Sequence, residues 1–140
     1  MKIELTIQGE PIGKARPRVC KYGTYTPAKT VNYETLVREL YIIGNYGRQL
    51  EGALEIEVRA YFGIPKSAKK KDVPHMLNDY IKPTKKPDVD NILKIIGDAL
   101  NGLAYRDDSK IVTASVFKCY SDKPRVEVEI WELEGRKQDG

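Results

Sequence analysis

Histidine and cysteine are scarce in this chain of 140 residues, which has one His and two Cys. Cys20 and Cys119 lie far apart and neither has a histidine close in sequence. That excludes the spaced Cys/His sets of zinc sites, a disulfide framework and a histidine-activated thiol nucleophile. His75 has no partner motif and is assigned no role. No stretch comes near the ~20 apolar residues of a membrane span. The start, Met1-Lys2-Ile3-Glu4-Leu5, carries charges inside its first apolar run, unlike a signal peptide. Internal repeats, low-complexity tracts and domain linkers are missing as well. What remains is expected to be one soluble cytoplasmic domain over residues 1–133 with a frayed tail at 134–140. A chain of this size should bury roughly 68–70% of its unfolded surface.

Positive charge is in surplus, at a net +4 and a pI of about 9.0, a mild hint of a nucleic-acid partner. Four aspartates stand against that background in two clusters, Asp88-Val89-Asp90 and Asp107-Asp108. Setting these four aside doubles the positive surplus of the rest. Gathered carboxylates repel one another unless a cation or shared proton offsets the charge, and hard oxygen donors suit Mg²⁺ or Mn²⁺. An acidic metal site in a basic surface points to phosphodiester chemistry. The plainer readings are that Asp88 or Asp90 caps a helix and that Asp107-Asp108 before Ser109 makes a turn.

Residues 2–8 alternate apolar and polar, as a half-buried strand does, and so do 53–64 up to Pro65. Between them, 14–26 holds Lys14, Arg16, Arg18 and Lys21 around Tyr22-Gly23-Thr24, a hairpin or ordered loop suited to gripping a DNA backbone. Pro27 opens a helix capped by Thr26 that runs to about Ile43 and ends at Gly44. Lys69-Lys70-Lys71 and Lys85-Lys86 belong to a mobile basic segment with a short helix near 67–72. The lysines there are further candidates for DNA contact, although such runs are more often solvated faces. Two strands, 111–120 and 125–133, close the chain as a hairpin turning at Ser121-Asp122-Lys123-Pro124.

A helix over about 91–101 lies between the acids: Ile92, Ile95, Ile96, Ala99, Leu100 and Leu103 form its apolar stripe, and Asn101-Gly102 stops it. Extended backbone at 88–90 would aim Asp88 and Asp90 to one side. Lys94, one turn after Asp90, is placed to offset charge on a pentacoordinate phosphate. Eleven residues of helix span roughly 16 Å, so 102–108 must fold back for Asp107-Asp108 to join. Asp98 is read as structural, paired with Lys94 at the surface. The fold class is α+β: a single domain with a small mixed sheet of about four strands packed with helices.

The runs Lys86-Pro87-Asp88-Val89-Asp90-Asn91-Ile92-Leu93-Lys94, Asp98-Ala99-Leu100-Asn101-Gly102 and Tyr105-Arg106-Asp107-Asp108-Ser109-Lys110-Ile111-Val112 together resemble the RusA family of Holliday junction resolvases. Gly13-Lys14-Ala15-Arg16-Pro17-Arg18 and Tyr25-Thr26-Pro27 resemble its phage and prophage members. The resemblance implies that Asp88, Asp90 and Asp108 are metal-binding catalytic aspartates, assisted by the adjacent Asp107, and that Lys94 is a catalytic lysine. It further implies Mg²⁺ or Mn²⁺, four-way junction DNA as substrate, and a homodimer. An Asp-x-Asp phosphatase would want an apolar strand leading into Asp88, where Thr84-Lys85-Lys86-Pro87 stands. The alternative is a non-catalytic DNA-binding or phage packaging protein.

Overall fold

The computed structural model describes residues 1–133; the tail expected to fray lies outside the described residues. The elements run β1 (Lys2–Gln8), β2 (Arg18–Cys20), β3 (Gly23–Tyr25), α1 (Ala28–Asn45), β4 (Leu54–Gly63), α2 (Val73–Leu77), α3 (Val89–Leu100), a single 3₁₀ turn (Asp108–Lys110), β5 (Ile111–Ser121) and β6 (Arg125–Glu132). Four strands form one mixed sheet in the order β1-β6-β4-β5, and β2-β3 form a separate small hairpin. The α+β class and the four-strand mixed sheet are as expected. Among the described residues no helix is long and apolar enough to cross a membrane.

Alternation decides which face of the sheet is covered. Ile3, Leu5 and Ile7 of β1, the even-numbered residues Leu54 to Phe62 of β4, and Val126, Val128 and Ile130 of β6 are buried together. They meet Tyr33, Val37 and Tyr41 of α1 and the Ile92-Ile95-Ile96-Ala99-Leu100 stripe of α3. The opposite face carries charge pairs such as Arg59 with Glu57 and Arg125 with Glu127, with Arg125 stacked over Tyr61 and Arg59 over Phe117. Such a half-covered sheet needs only two layers.

Three expectations of local structure fail. Strands β5 and β6 are not a hairpin: β4 lies between them, parallel to β5 and antiparallel to β6. The Ser121–Pro124 link crosses the end of β4, where the carbonyl of Pro124 accepts from Gly9 N–H at 3.0 Å. A Cβ on Gly63 would press on the Glu10 carboxylate, which accepts from Gly63 N–H at 2.9 Å, and would lie 3.1 Å from Pro124, so the crossing is tight there. The short helix falls at Val73–Leu77 rather than near 67–72, because Pro74 sits in its first turn and marks a start. Helix α1 has Pro27 at its N-cap position without a side-chain cap, and it runs past Gly44 to Asn45. Asn45 is buried and its carboxamide donates to the Glu4 carbonyl at 3.4 Å, which holds the last turn against β1. Tyr46 then takes the left-handed conformation, φ 54°, that stops the helix.

Candidate active site

Helix α3 organises the site. Its apolar stripe seats it on the sheet, and its Asp90, Lys94 and Asp98, spaced i, i+4, i+8, rise along another face. Asp88 occupies the N-cap position with extended backbone, φ −73° and ψ 157°, while Asp90 lies inside the first turn. The pair is therefore not on one side of an extended segment as expected. Neither carboxylate caps the helix, since no side-chain cap hydrogen bond is made. The positive end of the helix favours both charges all the same.

The return of 102–108 along the helix does occur. Gly102, at φ 77°, starts the reversal, and the buried Tyr105 donates its hydroxyl to the Gly97 carbonyl at 2.7 Å. The Asn101 side-chain oxygen accepts from Asp108 N–H at 3.0 Å. Asp108 thereby lines a shallow cavity of about 300 Å³ together with Lys94, Gly97 and Asp98. Burial pushes the Tyr105 phenol well above its ordinary value, and the charges of Asp108, Asp98 and Asp107 push it the same way. These acids thus act on one region around the C-terminal half of α3.

Their commitments differ. Asp107 accepts a hydrogen bond from the Ser109 hydroxyl, which together with backbone N–H groups holds its carboxyl below the usual range; it is tied into the 3₁₀ turn. Asp98 pairs with Lys14 at 3.3 Å, not with Lys94 as expected. Asp88, Asp90, Asp108 and Lys94 have no side-chain hydrogen bond or ion pair among the described residues, and all four are exposed.

Lys14, expected on the DNA-facing surface, is instead an internal tie. It is only 18% exposed and reaches both Glu34 of α1, at 2.8 Å, and Asp98 of α3. Its backbone N–H donates to the Asn91 carbonyl at 2.9 Å, and Gly13 lies so close to Pro87 that a Cβ there would be 2.6 Å from that ring's Cβ. The loop at 11–15 thus clamps the start of α3. Arg16, Arg18 and Lys21 are exposed on and beside the β2-β3 hairpin, Lys21 over the ring of Tyr22. Lys69, Lys70 and Lys71 are exposed in the turns before α2, and Lys85 and Lys86 in those before α3. Lys85 also leans over Phe62, where its carbonyl accepts from Lys118.

Sequence reasoning missed Arg38, which donates to the Ala99 carbonyl at 2.8 Å and so holds the C-terminal end of α3. It took Asn101 as a helix stop alone, although a carboxamide one residue past a helix is well placed to bind a returning chain. Lys29, near the start of α1, lines the same cleft as Lys86 and Asp88 and was not singled out.

The sequence matches a known family. The model of the family described as Endodeoxyribonuclease RusA matches residues 8–131. The chain belongs to the RusA family. It is also similar to a Bacillus subtilis (strain 168) protein named "Uncharacterized protein YqaN", 37% identical over 137 residues that cover 94% of this chain and 96% of the relative. RusA-family membership makes the chain a nuclease of the Holliday junction-resolving kind.

RusA-type nucleases depend on a divalent metal, and the donors here fit one in kind: hard carboxylate oxygens, exposed and without internal partners. They form no closed cage, since no three His, Cys, Asp or Glu among the described residues lie close enough to hold an ion. Mg²⁺ needs none, being bound in nucleic-acid enzymes by one or two carboxylates, waters and substrate phosphate oxygens.

Proposed function

We propose that the chain is a Mg²⁺-dependent structure-specific endodeoxyribonuclease that works as a homodimer inside the cell. Its substrate is a four-way junction formed in recombination and repair, which it resolves by paired phosphodiester hydrolysis. The observation that carries this reading is the contrast in commitments around α3. Asp98 and Lys14 are tied to each other and Asp107 to Ser109, while Asp88, Asp90, Asp108 and Lys94 are left free. Uncompensated acids at the start and flank of one helix would repel DNA, so a purely DNA-binding role gives them no purpose.

The carboxylate ligands would be drawn from Asp88, Asp90 and Asp108, one or two of them beside waters and phosphate oxygens, with Asp107 fixing the turn that presents Asp108. Mg²⁺ or Mn²⁺ bound there supplies Lewis-acid polarisation of the scissile phosphate and a water acidic enough to attack near neutral pH. Lys94 offsets the charge that grows on the phosphate oxygens as one P–O bond forms and the opposite one breaks. Arg16, Arg18, Lys21, Lys69, Lys70, Lys71, Lys85 and Lys86 grip the backbone, with counterion release as the driving force. Neither cysteine takes part: Cys20 is exposed with no base beside it, and burial pushes the Cys119 thiol up.

Two symmetrical cuts need two sites, and the sheet offers material for a twofold contact. Strand β5 is an eleven-residue edge with exposed Val112 and Phe117 and one charge, Lys118, whereas the other edge, β1, is shorter and carries Lys2 and Glu4 outward. Leu36 and Ile43 add exposed apolar surface on α1. The test is nicking of a synthetic four-way junction beside a linear duplex of the same sequence, with Mg²⁺ and with chelator. Cleavage confined to the junction and to Mg²⁺ is expected; equal nicking of both DNAs would remove the structure specificity.

A further inference from the structure

A second cleft at the start of α3 is lined by Asp88 but not by Asp108 or Lys94, which share the other cavity. The cleft holds about 400 Å³, at the small end of the roughly 300–1,000 Å³ typical of ligand pockets. Its walls are of two kinds. Pro27 and Pro87 supply apolar surface, and Arg18, Lys29 and Lys86 line the same cleft. None of these three cations has an ion-pair partner among the described residues, although Lys14 in the same cleft is neutralised by Glu34 and Asp98. Three cations without ion-pair partners lining one concave surface favour an anion there.

The wall is also held in place. Lys14 N–H is bonded to Asn91, Ala15 N–H to the hydroxyl of the buried Thr30 at 3.4 Å, and Gly13 rests on Pro87. Loop, α1 and α3 are therefore joined around the cleft without any ligand. A bare phosphate would leave the proline surface unused, and a paired stretch of DNA is too large for the volume.

We propose that this cleft seats a single nucleotide of the bound strand, next to the scissile phosphate. Its phosphate meets Lys29, Arg18 and Lys86, and its sugar and base lie against Pro27 and Pro87. The position relative to the cut rests on the nuclease reading; the existence of the nucleotide seat does not. Lys29 becomes a positioning contact, holding the strand in register with Asp88.

The test measures binding alone, in chelator, so that loss of the nuclease reading and loss of this proposal give different results. Four-way junctions carrying one uncharged methylphosphonate at successive linkages near the crossover are titrated with wild type and with Lys29→Ala, and Lys66→Ala serves as a control on an exposed lysine outside the cleft. Lys29 is exposed in a first helical turn, so alanine should leave the melting temperature unchanged. One linkage should weaken wild-type binding, and Lys29→Ala should show that loss already and respond no further at that linkage. Its slope of log K against log salt should fall by about one, and an abasic residue at the same position should weaken wild type. Additive losses, an unchanged salt slope, an equal effect from Lys66→Ala, or indifference to the abasic residue would each overturn the seat. Normal binding results with no cleavage in Mg²⁺ would sink the nuclease reading and leave the seat standing.

Discussion

Two lysines eighty residues apart show how position decides what one side chain does. Lys14 is enclosed between two acids. Burial pulls its pKa down, but the hydrogen bonds it donates to Glu34 and Asp98 outweigh this and leave it raised above 10.5. A raised pKa means that the pairing stabilises the fold below the unfolded value and that the contribution is lost as pH climbs through the folded one. Lys14→Met should therefore cost about 1.5–3 kcal/mol at pH 8, the range for hydrogen bonds to charged groups, and the gap to wild type should shrink above pH 10.5. Urea unfolding at pH 8 and pH 11 reads both. Lys94 touches no acid, so Lys94→Ala should leave stability alone and slow single-turnover cleavage, since charge placed at the transition state affects chemistry more than binding. Weak binding with normal cleavage once bound would move Lys94 to the gripping surface. The sequence could not separate these two lysines, because Glu34 lies twenty residues beyond Lys14 and meets it only through folding.

At the scale of elements, periodicity was a good guide wherever one face is buried. Strands β1 and β4 follow their alternation, and α3 follows its apolar stripe within two residues at each end. Strand order was not legible. Residues 111–133 carry the same local signals whether β4 lies between the last two strands or not, and only pairing across the sheet decides. Charge runs were equally mute: Lys69-Lys70-Lys71 lies in turns, and the helix waits for Pro74. The docking of α3 depends on a glycine whose role is close approach, not torsional freedom. Gly13→Ala places a methyl 2.6 Å from Pro87 and 3.0 Å from Asn91. Overpacking of this kind costs about 1–3 kcal/mol, and the strain falls on the residue before Asp88. Gly13→Ala should lower the melting temperature by several degrees and cut cleavage more than binding; an unaffected enzyme would show that the clamp does not position Asp88.

For the whole molecule, the distribution of charge sets the terms. The aspartates of the candidate site were legible because acids clustered in a basic chain are conspicuous. What was not legible is which of them the fold leaves free, since that depends on Asn101, Ser109 and Lys14. Resolution by paired cuts requires two copies, so light scattering at micromolar concentration should give about twice 15.9 kDa, and a charged residue in place of Val112 on the β5 edge should shift it toward one copy. A protein that stays monomeric on junction DNA would leave only a single-strand nickase. The most direct measurement is on Asp90→Asn, assayed for Mg²⁺-dependent junction cleavage and for junction binding on the same preparation. Asparagine keeps the shape, and Asp90 makes no capping bond to lose. The account predicts that cleavage disappears while binding and melting temperature hold. Retained cleavage with reduced stability would contradict it and make Asp90 a structural residue of the helix start.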